Sequence, residues 1–312
     1  MSSTDASDEN RVRIICGPTG AGKSALAMRL ARRYDVVVIS ADSRQIYRGF
    51  DLGTAKPSME DRVAVQHRGV DVADPVERYS AARWADSARD WIREARAAGK
   101  TPVIVGGTGF YLRALTAPLF DAPVLDPERR AALERVFPSV STESLRRWCT
   151  NLDPERAHLG RTQLIRSIET AMLAGERLSE LQRTRARAPD IGARYLVVDP
   201  GARLAERIER RVDAMMADGW ADEVAALARS VAHDAPAWKA SGYGAIRDLI
   251  DGRVTVRHAR ERVIVETRQY AKRQRTWFRH QLGGADTTRI DPDDPSIETI
   301  MTDWWAGRRT DV

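Results

Sequence analysis

Cysteine is nearly absent. The 312 residues hold two, Cys16 and Cys149, too few for a disulfide framework or a four-cysteine zinc site. The setting this implies is the reducing cytoplasm. Long apolar runs are missing as well. The longest are short, such as Val36–Ile39 and Val103–Val105, whereas a membrane-spanning helix needs about 18 residues or more. No membrane association is expected. The opening MSSTDASDEN is polar and acidic, without the apolar stretch of a secretory leader, and residues 1–10 read as a disordered tail. There is no internal repeat and no low-complexity tract. With 43% hydrophobic and 30% charged residues, the composition is that of a globular protein with a core, not a disordered one. At ~150 residues per domain the length suggests about two domains, or one large domain carrying an insertion. A monomer is the expected state.

Charge is present in a telling place. Lysine and arginine exceed aspartate and glutamate by 50 to 44. The stretch Arg253–Arg279 alone holds nine basic and two acidic residues, so the rest of the chain is about neutral. A local basic block points to a polyanionic partner, although a charge run by itself is more often a solvated helix face.

Short apolar runs at Val12–Cys16, Val36–Ile39, Pro102–Val105 and Tyr195–Val198 alternate with helical patterns, the strongest of which starts at Ser80 and stops at Gly99. Buried strands alternating with helices predict an α/β fold, a parallel sheet flanked by helices. From 126 to 190 no convincing strand occurs, and 127–136, 141–150, 162–174 and 179–187 all look helical. This stretch reads as an all-helical insertion into a core built from 11–125 and 191–290. Helices are expected again at 203–217, 221–231, 242–250 and about 255–282. Residues 291–312 read as a C-terminal tail of loops with at most a short final helix.

Gly17-Pro18-Thr19-Gly20-Ala21-Gly22-Lys23-Ser24 fits G-x-x-x-x-G-K-[ST] between a predicted strand and a predicted helix, the context that motif requires. Glycines let backbone N–H groups turn around phosphate oxygens, and the helix N-terminus adds partial positive charge. Lys23 contributes a point charge, and the Ser24 hydroxyl is placed to ligate Mg²⁺. The motif marks a nucleotide-binding, ATP-type phosphate loop, a di- or triphosphate site, and leaves the identity of the ligand open.

In a parallel sheet, ligands bind beyond the carboxyl ends of the strands. The second strand runs into Asp42, suited to act as a general base or simply as a turn residue. The third runs into Gly106-Gly107-Thr108, whose hydroxyl suits either a reacting group or a helix cap. After the fourth, Arg203, Arg207 and Arg211 recur every four residues on one helix face, as lid arginines or as a solvated face. Arg268, Lys272, Arg275 and Arg279 form one line along the last long helix, with Tyr270 and Trp277 on the opposite side. A segregated basic stripe of this kind can track a nucleic-acid backbone.

These segments together have a family likeness. GPTGAGKS at 17–24, ADSRQIYRGFDLGTAKP at 41–57, HRGVD at 67–71, YSAARWADSA at 79–88, PVIVGGTGFYL at 102–112, RIERRVDAMMADGWADEV at 207–224 and TRQYAKRQRTWFR at 267–279 resemble the bacterial tRNA dimethylallyltransferases. The resemblance runs from about residue 12 to 282. It implies a P-loop NTPase-like core and transfer of a dimethylallyl group from dimethylallyl diphosphate to N6 of adenine 37, next to the anticodon of tRNA. It implies that Gly17, Pro18, Thr19, Gly20, Ala21, Gly22, Lys23, Ser24 and Arg207 bind the diphosphate. Asp42 matches the general base, and Thr108 and Lys23 complete the catalytic set. Contacts to the tRNA anticodon stem-loop would fall at Asp42, Ser43, Arg44, Gln45, Thr108, Arg130, Thr162, Gln163, Leu164, Ile165, Arg166, Lys239, Gly242, Tyr243, Lys272, Arg273, Gln274, Arg275, Trp277 and Arg279. Thr162-Gln163 departs from the pattern, which usually has a basic residue or two there. A small-molecule kinase and an adenylate isopentenyltransferase acting on free AMP would share the core. Neither needs a basic helix or a helical insertion. A non-catalytic tRNA binder would not need the full set of rim residues.

Overall fold

A computed structural model describes residues 11–308 except 118, 121, 122, 124, 188–190 and 285. The tail expected at residues 1–10 lies outside the described residues. The strands are β1 (Val12–Cys16), β2 (Val36–Ser40), β3 (His67–Arg68), β4 (Thr101–Gly106), β5 (Leu119–Phe120), β6 (Ala186–Arg187), β7 (Ala193–Val198) and β8 (Thr287–Ile290). Six of them form a sheet in the order β3-β2-β4-β1-β7-β8, parallel throughout. This is the α/β class that the alternating pattern predicts. β2 is buried at every position and β1 and β4 nearly so, as expected for strands covered by helices on both faces. No helix among the described residues is long and apolar enough to cross a membrane.

The chain forms two compact units, one from the residues up to Thr116 together with those from Ile191 on, the other from Ala117–Asp190. In the first, the helix Lys23–Ala31 buries Leu26, Ala27 and Leu30 against the sheet. The helix Ala81–Ala97 starts where Ser80 caps it by accepting the N–H of Arg83. Its Trp84 stacks on Tyr111 at 4.8 Å between ring centres and donates its indole N–H to the Ser40 carbonyl at 3.0 Å. That contact fixes the carboxyl end of β2, where the functional loop begins.

The last part of the chain differs from expectation. Residues 287–290 are a sixth strand, paired with β7 from Tyr195↔Thr287 to Val198↔Ile290. The sequence Thr-Thr-Arg-Ile has one apolar residue, and only Ile290 is buried, so no local pattern announces it. Residues 291–312 read in sequence as a tail of loops with at most a short final helix; that helix is present as Ile297–Ala306, but its Ile297, Ile300, Met301 and Trp304 enter the main core. Residues 309–312 lie outside the described residues.

The second unit contains the helices Pro127–Val136, Thr142–Leu152, Arg161–Ala174 and Leu178–Thr184. Phe137, Leu145, Cys149, Leu164 and Ile168 make its small core. The buried Asp153 accepts the Ser179 N–H at 3.0 Å and also the Ser179 hydroxyl, which ties two of its segments together. The unit is not wholly helical: the helix expected to reach 187 stops at Thr184, and β6 pairs antiparallel with β5. A two-residue strand with a partner so distant in sequence leaves no periodic signal. The same pairing makes the unit begin earlier than residue 126.

Candidate active site

β1 passes directly into the phosphate loop. A Cβ on Gly17 would fall 2.2 Å from the Val198 carbonyl oxygen of β7, so the loop's start tolerates only glycine. Gly22 has φ +96° and caps the helix Lys23–Ala31, whose first N–H groups have no acceptor within the helix and suit phosphate oxygens. Lys23 Nζ donates to the Pro18 carbonyl at 2.7 Å. Burial lowers its pKa to about 8; the Asp42 charge opposes that shift, and the nearby Arg211 charge adds to it. Ser24 is exposed on the first turn.

Three loops close around this one. After β2, Asp42 Oδ1 accepts the Arg44 N–H at 2.9 Å, which fixes the carboxylate in the turn. After β4, the Thr108 Oγ accepts the Ser43 N–H at 3.0 Å and shares a hydrogen bond with the Tyr270 phenol, whose pKa burial pushes up to about 12. Gln274, on the long helix Val256–Gln281, bridges two loops. Its Oε1 accepts the Thr19 N–H and its Nε2 donates to the Gly107 carbonyl, both at 2.8 Å. Trp277 packs over Gly109, where a Cβ would come within 2.4 Å of the indole.

Two cavities result. One, of about 490 Å³, surrounds the phosphate loop and is lined by Gly22, Lys23, Ser24, Arg207, Arg210 and Arg211 among others. The other, of about 680 Å³, is walled by Trp220, Trp238, Tyr270 and Trp277, with Arg44, Lys239 and Arg273 as cations. Thr19, Asp42, Thr54, Arg211 and Gln274 line both. Asp42 and Arg211 therefore stand at a neck between a phosphate site and an aromatic hollow. The arrangement can hold a phosphorylated reactant on one side and a planar group on the other, with a carboxylate between them.

The IPP transferase family model matches residues 45–281, and an isopentenyl transferase model matches residues 10–69. A tRNA dimethylallyltransferase of Alkalilimnicola ehrlichii is 44% identical over 87% of this chain and 88% of that protein. One of Halorhodospira halophila is 40% identical over 93% and 97%. The chain belongs to the IPP transferase family. Among solved structures, the tRNA isopentenylpyrophosphate transferase of Bacillus halodurans is 33% identical with a TM-score of 0.67, over 96% of each chain. A eukaryotic dimethylallyltransferase acting on tRNA shares the fold at a TM-score of 0.80, over 97% of this chain and 81% of that one. As a member of the IPP transferase family the protein is a prenyl transferase that acts on a tRNA adenine, and the phosphoryl-transfer alternative falls away.

Within this IPP transferase, Thr19, Gly20, Gly22, Lys23 and Ser24 of the residues expected at the phosphate line one cavity, and Arg207 reaches it from the helix Leu204–Ala217; Gly17, Pro18 and Ala21 are buried and do not line it. Arg211, the third arginine of that face in the sequence, lines both cavities, as Asp42 does. The expected tRNA contacts divide. Ser43, Arg44, Lys239, Arg273 and Trp277 line the aromatic cavity, and Lys272 and Arg279 are exposed.

Others are spent inside the protein. Gln45 accepts from the Ser40 hydroxyl and donates to the Thr54 and Ala55 carbonyls. Gln274 is 6% exposed, and its Oε1 and Nε2 form the bridge between the two loops although it still borders both cavities. Tyr243 is fully buried, with its hydroxyl donated to Glu223 at 2.6 Å. Gly242 is buried against Trp220. Arg275 is ion-paired with Asp199 and donates to the Gly201 carbonyl. In the second unit Leu164 is core and Ile165 packs against that core. Gln163 is exposed but its Oε1 accepts the Gly160 N–H at 3.3 Å, at the start of its own helix. Arg130, Thr162 and Arg166 remain exposed there, Arg130 beside Glu134 and Glu169.

Proposed function

We propose that this chain transfers a dimethylallyl group from dimethylallyl diphosphate to N6 of the adenine at position 37, next to the anticodon of tRNA, giving N6-isopentenyladenosine. The observation that carries this is the shared neck, where Asp42 faces both the phosphate-loop cavity and the aromatic one. A diphosphate seated on the loop directs its allylic arm toward the neck, and an adenine flipped out of its stack fills the aromatic side. The bond from the allylic carbon to the diphosphate oxygen breaks, pyrophosphate leaves, the carbon bonds to N6, and Asp42 takes the N6 proton. Lys23 and Arg207 face the charge that develops on the leaving group. Thr108 holds the Ser43 amide, and with it the Asp42 turn, in place.

Ser24 fits Mg²⁺: its hydroxyl is a hard oxygen donor, exposed at the wall of the phosphate cavity. Mg²⁺ commonly takes one or two protein oxygens together with substrate phosphates and water. When bound it neutralises part of the diphosphate charge. The contacts we assign to the anticodon stem-loop are Ser43, Arg44, Lys239, Lys272, Arg273, Trp277 and Arg279, with Arg130, Thr162 and Arg166 from the second unit, and the working unit is a monomer. The test is to incubate the protein with unmodified tRNA and dimethylallyl diphosphate, digest the RNA, and look for N6-isopentenyladenosine by mass spectrometry. Prenylation of free AMP but not of tRNA would overturn the reading. So would strict ATP dependence with phosphoryl transfer to a small molecule.

A further inference from the structure

Arg207 does not hang free beside the phosphate loop. Its Nη2 is ion-paired with Asp293. Its Nη1 faces the loop, 3.3 Å from the position a Cβ on Gly22 would take, and Pro292 lies 3.7 Å from that same position. Asp293 is itself held from behind. Its second carboxylate oxygen is 3.2 Å from Arg203 Nη1, its N–H donates to Asp291 Oδ1 at 3.0 Å, and Arg203 is also paired with Asp291. Arg207 lines the phosphate cavity, whereas Asp293 does not. The pairing of β8 with β7 at Val198↔Ile290 sets where this acidic loop begins, and the helix Ile297–Ala306 sets where it ends. The match to the IPP transferase family model stops at residue 281, before all of it.

We propose that Asp293 is a positioning residue for the transfer reaction: it pins one edge of the Arg207 guanidinium so that the other edge is presented to the diphosphate. This rests on the reading above, in which Arg207 meets that diphosphate. A guanidinium is a rigid planar fork, so fixing one Nη fixes the direction of the other. Held in this way, Arg207 meets the developing charge without reorganising at the moment of reaction. Asp293 lies outside the cavity, so it orients the arginine rather than competing with the substrate for it.

The test is Asp293→Asn, with Asp293→Glu as the conservative variant, both measured by single-turnover prenyl transfer at saturating tRNA and dimethylallyl diphosphate and by steady-state titration of each substrate for its KM. Asp293→Asn should slow transfer about 10- to 100-fold, the range for a misplaced group at a reacting centre. The tRNA KM should stay within about twofold, and Asp293→Glu should restore part of the rate. In an Arg207→Ala background, Asp293→Asn should cost nothing further, because the residue it positions is gone. An unchanged rate in Asp293→Asn would overturn the proposal, as would a lower KM for dimethylallyl diphosphate, which would mark a competing carboxylate. A full additional loss in the Arg207→Ala background would overturn it too, showing a role in the fold alone. A wild-type protein without prenyl transfer to tRNA, or an Arg207→Ala variant with wild-type turnover, would instead bring down the reading beneath it.

Discussion

Asp42 combines two tasks because a carboxylate has two oxygens. Oδ1 accepts the Arg44 amide and sets the turn, and the group still lines the neck of both cavities. Asp42→Ala should cut the single-turnover rate by about 10²–10⁴, the usual worth of a positioned general base, with tRNA affinity nearly unchanged; a near wild-type rate would remove the assignment. Thr108→Ala should cost less, since it releases hydrogen bonds that only brace the turn. Lys23 gives a pH prediction with a definite sign. Burial lowers its pKa to about 8 in the free protein, so it loses its charge as pH rises through that value. kcat/KM for dimethylallyl diphosphate should therefore fall above pH 8, approaching about one log unit per pH unit. Lys23→Arg, which stays protonated, should abolish that limb whatever its overall rate. A limb still present in Lys23→Arg would assign the titration to another group. At this scale the sequence was informative where a motif dictates backbone geometry: Gly17, Gly22 and Lys23 are legible because no other residue types do their work. Gln274 was not, because a buried amide bridging two loops looks in sequence like any polar residue of a basic helix.

The helix Val256–Gln281 shows how an element can be read correctly and its surface misjudged. Its extent follows the pattern closely, beginning where Thr255 caps it. Tyr270, Gln274 and Trp277 face the cavity, as the angular spacing of the aromatics demands. The basic stripe is not continuous, however. Arg268 is paired with Glu209, and Arg275 with Asp199, carboxylates that are remote in sequence and that no helical periodicity reveals. Arg268, Lys272 and Arg279 are exposed along that line, Arg268 within its ion pair to Glu209. Lys272→Ala with Arg279→Ala should raise the tRNA KM and reduce the salt slope by roughly one unit per lost phosphate contact. The KM for dimethylallyl diphosphate should hardly move, because that ligand sits on the phosphate loop. Unchanged tRNA affinity at both low and high salt would make the line a solvated face.

Across the whole molecule, the last segment is part of the fold rather than an appendage. The helix Ile297–Ala306 contributes four buried side chains to the main core, Trp305 stacks on Tyr34 with ring centres 4.1 Å apart, and Arg13 donates to the Trp305 carbonyl at 2.9 Å. Cutting the chain after residue 284 should expose that core and leave β7 as an unpaired edge, which favours aggregation. The expected result is a large fall in Tm or insoluble protein; a truncated chain that melts like the full one would show the segment to be dispensable. The sequence by itself determined the fold class, the phosphate loop, the family and most of the helices, though not Met59–Ala64, because each of these is written in local periodicity or in motifs that constrain a few neighbouring residues. Tertiary structure alone decided the sixth strand, the β5–β6 pair, the pairing of Arg207 with Asp293 and the burial of Leu164 and Tyr243. These depend on groups far apart along the chain, and only the folded backbone brings such groups within a few ångströms.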